Sequence, residues 1–440
     1  MKNKKLLKEI LLIIVLIVIL VVLWLLIIND NKDNNNVPQM NNSSKTTYSS
    51  VKEITKDENI TKGDYKSTTK DENAISVSGN IKSTLSNITV SKTGDSYGGD
   101  NTSFYGTNSA IIAKDGANLT IKNAVITTDA TGANGVFSYG GTATTSNSKS
   151  DGTTINISDS TITTTKDNSG GIMTTGGGVM NATNLIINTS GISSAAIRSD
   201  RGGGTVVVDK GTYTTTGKGS PTVYSTADIT VKNATLVAKA SEGLIIEGKN
   251  KIEIDNVELT DTNNTLNGQS TTYKNIFIYQ SMSGDADTGT ATFKATDSTI
   301  TTNKGDTIYV TNTKANITLK NNKFINNDES GNFLRIQKDS WGKEESNGGD
   351  VVLNLEEQEV EGNIVVDEIS TLIMNMESST YKGTINNENS AKDIKLVLDK
   401  NSKITLTGDS YVSSLTNSLE DNSNIDFNGY KLYVNGEAIN

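Results

Sequence analysis

Leu119-Thr120-Ile121-Lys122-Asn123-Ala124-Val125-Ile126-Thr127-Thr128 is the stretch whose reading decides the fold. Apolar residues stand at its first and third positions, an Asn at the fifth and another apolar residue at the eighth, so it reads as strand, corner, strand. The phrase returns along the chain, its first position falling at Leu119, Ile155, Met180, Val206, Ile229, Ile252, Phe293, Ile317, Leu353, Met374 and Leu396, with a weaker copy at Ile88. Consecutive starts lie about 21 to 26 residues apart, except where loops lengthen the step, and a period in that range marks a solenoid.

The fifth position is Asn123, Asp159, Asn184, Asn233, Asn256, Asp297 or Asn321 in most copies. Asx tolerates left-handed backbone angles and hydrogen-bonds its neighbours, so it suits a sharp bend. Stacked at one strand spacing, roughly 4.8 Å, these side chains are expected to form a ladder inside the corner. In this the sequence resembles the right-handed parallel β-helix of the pectate-lyase-like superfamily, over about residues 75 to 430. The resemblance implies an all-β solenoid of about 11 to 12 coils, each one turn of a repeat. It is a resemblance of architecture, and one such fold hosts many functions.

The chain has 440 residues, no Cys and no His, which excludes disulfides, thiol chemistry and the commonest general base and metal ligand. A net charge of -10 argues against nucleic acid as a partner. Residues 11–28 form a nearly unbroken apolar run, preceded by Lys2, Lys4, Lys5 and Lys8. That pattern is expected to make residues 1–8 a cytoplasmic tail and 9–28 an uncleaved transmembrane signal anchor, with the bulk of the chain outside the cell. Residues 29–73, rich in Asn, Lys, Asp, Ser and Thr, read as a disordered tether. The solenoid is then expected over 74–440, closed by a cap near 423–440 in which 425–434 forms a hairpin or strand-turn-strand about Asn428-Gly429.

Each coil holds a further strand upstream of the recurrent phrase, at 136–139, 172–175, 197–200, 223–226, 244–247, 276–279, 308–311, 334–337 and 364–367. Period two assigns its outward positions to Phe137, Tyr139, Arg198, Asp200, Tyr224, Glu247, Phe277, Tyr279, Tyr309 and Arg335. The arginines of the chain, Arg198, Arg201 and Arg335, fall on or beside this stripe. Guanidinium forks pair with carboxylates or sulfates and flat rings stack on sugar faces, so the stripe reads as a binding track for a polysaccharide or a cell-surface component. Gly140-Gly141, Gly176-Gly177-Gly178 and Gly202-Gly203-Gly204 would keep one wall low, with insertions at 142–151 and 262–274 as the rim. β-Propensity alone also places aromatic residues on such a face, which is the bland alternative of a structural stalk.

An enzyme is the other alternative, a lyase or hydrolase of acidic glycans. The resembled superfamily includes polygalacturonases with clustered Asp, a His motif and Arg-Ile-Lys. Here Arg335-Ile336-Gln337 lacks the Lys, and the His is missing altogether. Two facing carboxylates are required for glycoside hydrolysis, and the best candidates, Asp200 and Glu247, have the coil of Tyr224 between them. No cofactor is expected, apart from Ca²⁺ where Glu356, Glu377 and Asp399 stack like charges. Asp285 and Asp287 form only a fragment of a calcium loop, and the Thr-x-Thr steps at Thr161, Thr212 and Thr299 are too interrupted for a regular Thr lattice.

Overall fold

The computed structural model describes residues 46–141 and 149–440, and these wind as a parallel β-solenoid. The expected tail, anchor and first part of the tether, and residues 142–148 of the first insertion, lie outside the described residues. Among the described residues no helix is long and apolar enough to cross a membrane.

One coil shows how the sequence folds. Val136–Tyr139 forms the first face, Thr154–Ser158 the second and Thr161–Thr164 the third, and the chain returns to the first face at Ile172–Thr175. Within the second and third faces, period two sends Ile155, Ile157 and Ile162 inward, where each is at most 2% exposed. Register then stacks like on like: Ile155 pairs with Leu119 below and Met180 above, and Ile162 lies between Ile126 and Ile187. A fully buried side chain of this size contributes roughly 2 kcal/mol, repeated in every coil. A charge at any of these positions would sit against the coils above and below it.

The corner between second and third faces behaves as the Asx reading requires in its backbone. Asn87, Asn123, Asp159, Asn184, Asn233, Asn256, Asp297 and Asn321 all have φ between 48° and 53°. Their side chains do form ladders: Asn184 donates to Asp159 at 2.8 Å, Asn256 to Asn233 at 2.8 Å and Asn321 to Asp297 at 2.6 Å. These bonds run along the exposed outside of the corner, not inside it. A left-handed residue at the bend swings its Cβ outward, and the residue after it turns in. That next position carries a second, buried ladder, in which Ser298 N–H meets Asn322 Oδ1 at 3.0 Å, Asn322 N–H meets Gln358 Oε1 at 2.8 Å and Gln358 N–H meets Ser379 Oγ at 3.0 Å. Such bonds satisfy main-chain groups that the bend removes from the sheets.

Both ends differ from expectation. The solenoid begins with strands Ser50–Ile54, Glu58–Ile60 and Gly63–Ser67, inside the stretch read as tether. Their few apolar residues suffice because Ile54, Ile60 and Tyr65 pack on the core of the next coil. At the other end, Ile425–Asp426 and Leu432–Val434 belong to different sheets, so Asn428-Gly429 joins two faces. The hairpin comes one turn later, around Asn435-Gly436, where Leu432–Val434 pairs antiparallel with Glu437–Ala438. Every other strand pairing among the described residues is parallel.

Candidate functional site

On the first face, register gathers the expected stripe into one row. Phe137 pairs with Met173, and the row continues through Arg198, Tyr224, Ile245, Phe277, Tyr309, Arg335 and Val365. These side chains do point away from the solenoid core, but they are not an open track. Phe137 and Tyr309 are 0% exposed and Phe277 is 3% exposed. The reason is a set of loops folded back over the face.

A short helix, Asp100–Tyr105, lies over Phe137. Gly106 follows it at φ 67°, so close that a Cβ there would stand 2.7 Å from the Phe137 ring. Tyr105 meets Tyr139 edge to face with centroids 5.6 Å apart, and Thr175 Oγ1 donates to the Phe104 carbonyl at 2.7 Å. Farther along, Phe277 stacks on Tyr279 with centroids 4.3 Å apart, and Trp341 covers both rings at 5.2 Å. The loop of Trp341 is held by Asp339, whose carboxylate accepts from Tyr309 OH at 2.7 Å and from Thr271 Oγ1 at 3.0 Å. Lys274, fully buried, sets its ammonium 4.2 Å from the Phe277 centroid and 3.8 Å from Glu242. Burial pushes its pKa down.

The arginines are likewise occupied. Arg198 pairs with Asp200 at 2.7 Å, Arg201 with Asp285 at 2.9 Å and Arg335 with Asp306 at 2.5 Å. Arg201 also lies 4.2 Å over the Phe104 ring. They hold covering loops in place and do not wait for a ligand's carboxylate or sulfate. Between them runs one hydrogen-bonded circuit. Tyr224 OH and Tyr279 OH donate to Glu247, as does Ser281 Oγ; Ser281 Oγ donates to Ser283 Oγ at 2.8 Å, and Ser283 Oγ to Asp285 at 2.9 Å. Residues 281–287 are thereby strapped back across several coils. Burial raises the carboxyl of Asp200 to about 6 against the opposing pull of Arg198, and burial also raises Glu247 against its hydroxyl donors. Asp200 is 4% and Glu247 1% exposed, so the two acids are enclosed in this state.

The glycine clusters do what their position suggests. Gly178 and Gly204 are in register, and a Cβ on Gly204 would stand 2.3 Å from the Gly178 carbonyl oxygen, one on Gly140 2.3 Å from Gly178 N. The floor they leave opens as a cleft of about 470 Å³ between Gly177, Gly203, Gly204, Asp228, Lys249 and the strap residues Asp285 and Asp287. Asp287 is paired with Lys249 at 2.8 Å, so the faint calcium loop is an ion-paired wall.

The acidic row departs from the Ca²⁺ expectation. Glu356 and Glu377 are in register, but the Asp399 carboxylate turns into its own bend, accepting from Ser402 Oγ at 2.6 Å and Ser402 N–H at 2.8 Å. Among the described residues no three acidic side chains converge as a metal site. Sequence reasoning missed Lys274, Asp285 as the partner of Arg201, Asp306, Asp339 and Trp341. Each lies on a non-repeating loop or at a strand start, and Asp285 is 84 residues from its partner. Compared with known proteins, the chain matches no family model, no curated protein and no solved structure.

Proposed function

We propose that this chain is an anchored cell-surface solenoid of the pectate-lyase-like kind, right-handed, with an adhesin-like role. Its apolar, Lys-flanked N-terminal run supports anchoring. Its ligand is a glycan or a neighbouring surface component, taken beside the first face. The observation that carries this reading is the open, glycine-floored cleft of about 470 Å³, because the aromatic row alongside it is covered. Backbone amides of the floor and the carboxylates of Asp228, Asp285 and Asp287 suit hydroxyl-rich ligands, and the excess of acids over Lys249 disfavours sulfated or uronate-rich ones. A glycan array probed with the compact unit Thr46–Asn440, beside an Asp228→Ala/Lys249→Ala double variant, tests it. Binding to neutral glycans that the double variant loses is the expected result, and silence across the array would leave a stalk as the better account.

A hydrolase is the second reading, favoured only by the raised carboxyls of Asp200 and Glu247 near Asp285. New reducing ends on the arrayed glycans would support it, and intact glycans count against it.

A further inference from the structure

The outward row of the first face does not stop at Val365. Asn386 N–H bonds to the Ile364 carbonyl at 2.8 Å and Tyr411 N–H to the Ile385 carbonyl at 2.9 Å, which carries the register through Asn386 to Tyr411. Tyr411 then pairs with Tyr433. The two rings are stacked with centroids 4.6 Å apart and planes 6° from parallel. Both are partly exposed, unlike Phe277 and Tyr309 farther down the row. The next position is Ala438, opposite Tyr433 in the closing hairpin and exposed. A methyl cannot cover a phenol ring, so the stack of rings ends with the outer face of Tyr433 bare.

Lower in the same row the protein fills such a place itself, by laying Trp341 against Phe277 at 5.2 Å. At the last coil no ring of the chain does so. We propose that the outer face of Tyr433, over Ala438, is a stacking subsite for a hexopyranose ring that presents an unbroken apolar C–H face. This rests on the glycan reading above and adds a second contact point at the far end of the same face. The stack is suited to the task because its rings are already parallel and one is held by the other, so little freedom is lost when a third flat body is added. Hydroxyl groups at a pyranose edge would meet the polar surroundings of Asp409, Lys431 and Asn435, all at the exposed rim of this coil.

Calorimetric titration of the full chain with cellohexaose, a neutral ligand of equatorial pyranoses, tests the proposal. Tyr433→Ala is expected to weaken binding roughly tenfold, the effect of one lost stacking contact. Ala438→Leu keeps both rings and their mutual contact but fills the place above them, and it is expected to weaken binding by a similar factor. Loss in both variants supports the subsite. Undiminished affinity in Ala438→Leu overturns it, even where Tyr433→Ala folds poorly. Binding that survives both substitutions and disappears in Asp228→Ala/Lys249→Ala overturns the subsite and leaves the cleft reading standing. Absence of binding by the unaltered chain defeats both. Concentration-dependent self-association that Ala438→Leu abolishes would assign the bare ring to a second copy of the chain and equally overturn the sugar subsite.

Discussion

The same outward row is finished in two different ways. From Phe137 to Arg335 its rings and guanidinium groups are roofed by a helix, a strap and a Trp-bearing loop, whereas Tyr411 and Tyr433 at the last coils stand partly in solvent. The strand geometry beneath is alike in both, so the difference comes from connections. Where a coil carries an insertion between faces, the insertion folds over the row and its polar groups tie it down. Where the connections are short, as in the last coils, the row stays open. An aromatic stripe on a solenoid is therefore a core for its loops in one place and a surface in another.

The comparison is easiest to break through stability. Phe277→Ala removes a ring that is 3% exposed and touches both Tyr279 and Trp341, and the expected cost is about 3–4 kcal/mol in urea unfolding. A cost near that of a surface ring would mean the roof is loose. Acid should then strengthen the covered region. Asp200 has a folded pKa raised to about 6 against an unfolded value near 3.9, so the folded state holds its proton more tightly. Its contribution is full below about pH 4 and is lost as pH rises towards 6, on the order of 2 kcal/mol in all. Asp261, buried and raised to about 8, extends the same trend upwards. Unfolding midpoints measured from pH 4.5 to 8 should fall with pH, and Asp200→Asn should flatten the lower half of that slope.

Smaller effects separate strap from platform. Asp285→Ala cuts the tie to Arg201 at partly exposed side chains, with an expected loss of about 1–2 kcal/mol and faster hydrogen exchange confined to residues 281–287. Tyr411→Ala should cost less than about 1 kcal/mol, since its ring gives up one stacked neighbour and little burial.

Much of the architecture was legible because solenoid coils are read locally. The upstream strands expected at 136–139, 172–175 and 244–247 occur as Val136–Tyr139, Ile172–Thr175 and Leu244–Glu247, and Asn123 takes the left-handed angle its residue type suggests. Register follows once each strand has a buried side to present. Inside and outside at the corner were not legible, since the Asn pattern is the same for a ladder on either side. Ser160, Ser298 and Ser379, one residue later, are the buried members, and only their small polar character hinted at it. The roof over the row was hidden for a different reason. Trp341, Asp339 and Asp285 lie in segments without a repeat, and their partners are set by how loops cross coils, a matter of tertiary distance that periodicity does not encode. The tether was misjudged at its end because Ser50–Ile54 needs few apolar residues when a complete coil already waits to cover them.

Hydroxyl-radical footprinting of the full chain, read residue by residue, tests the contrast most directly. Tyr411 and Tyr433 should be oxidised rapidly under native conditions while Phe137, Phe277 and Tyr309 are protected until the fold is unfolded. Equal labelling of the two groups, or native-state labelling of Phe277 and Tyr309, would contradict a roofed row with an open end.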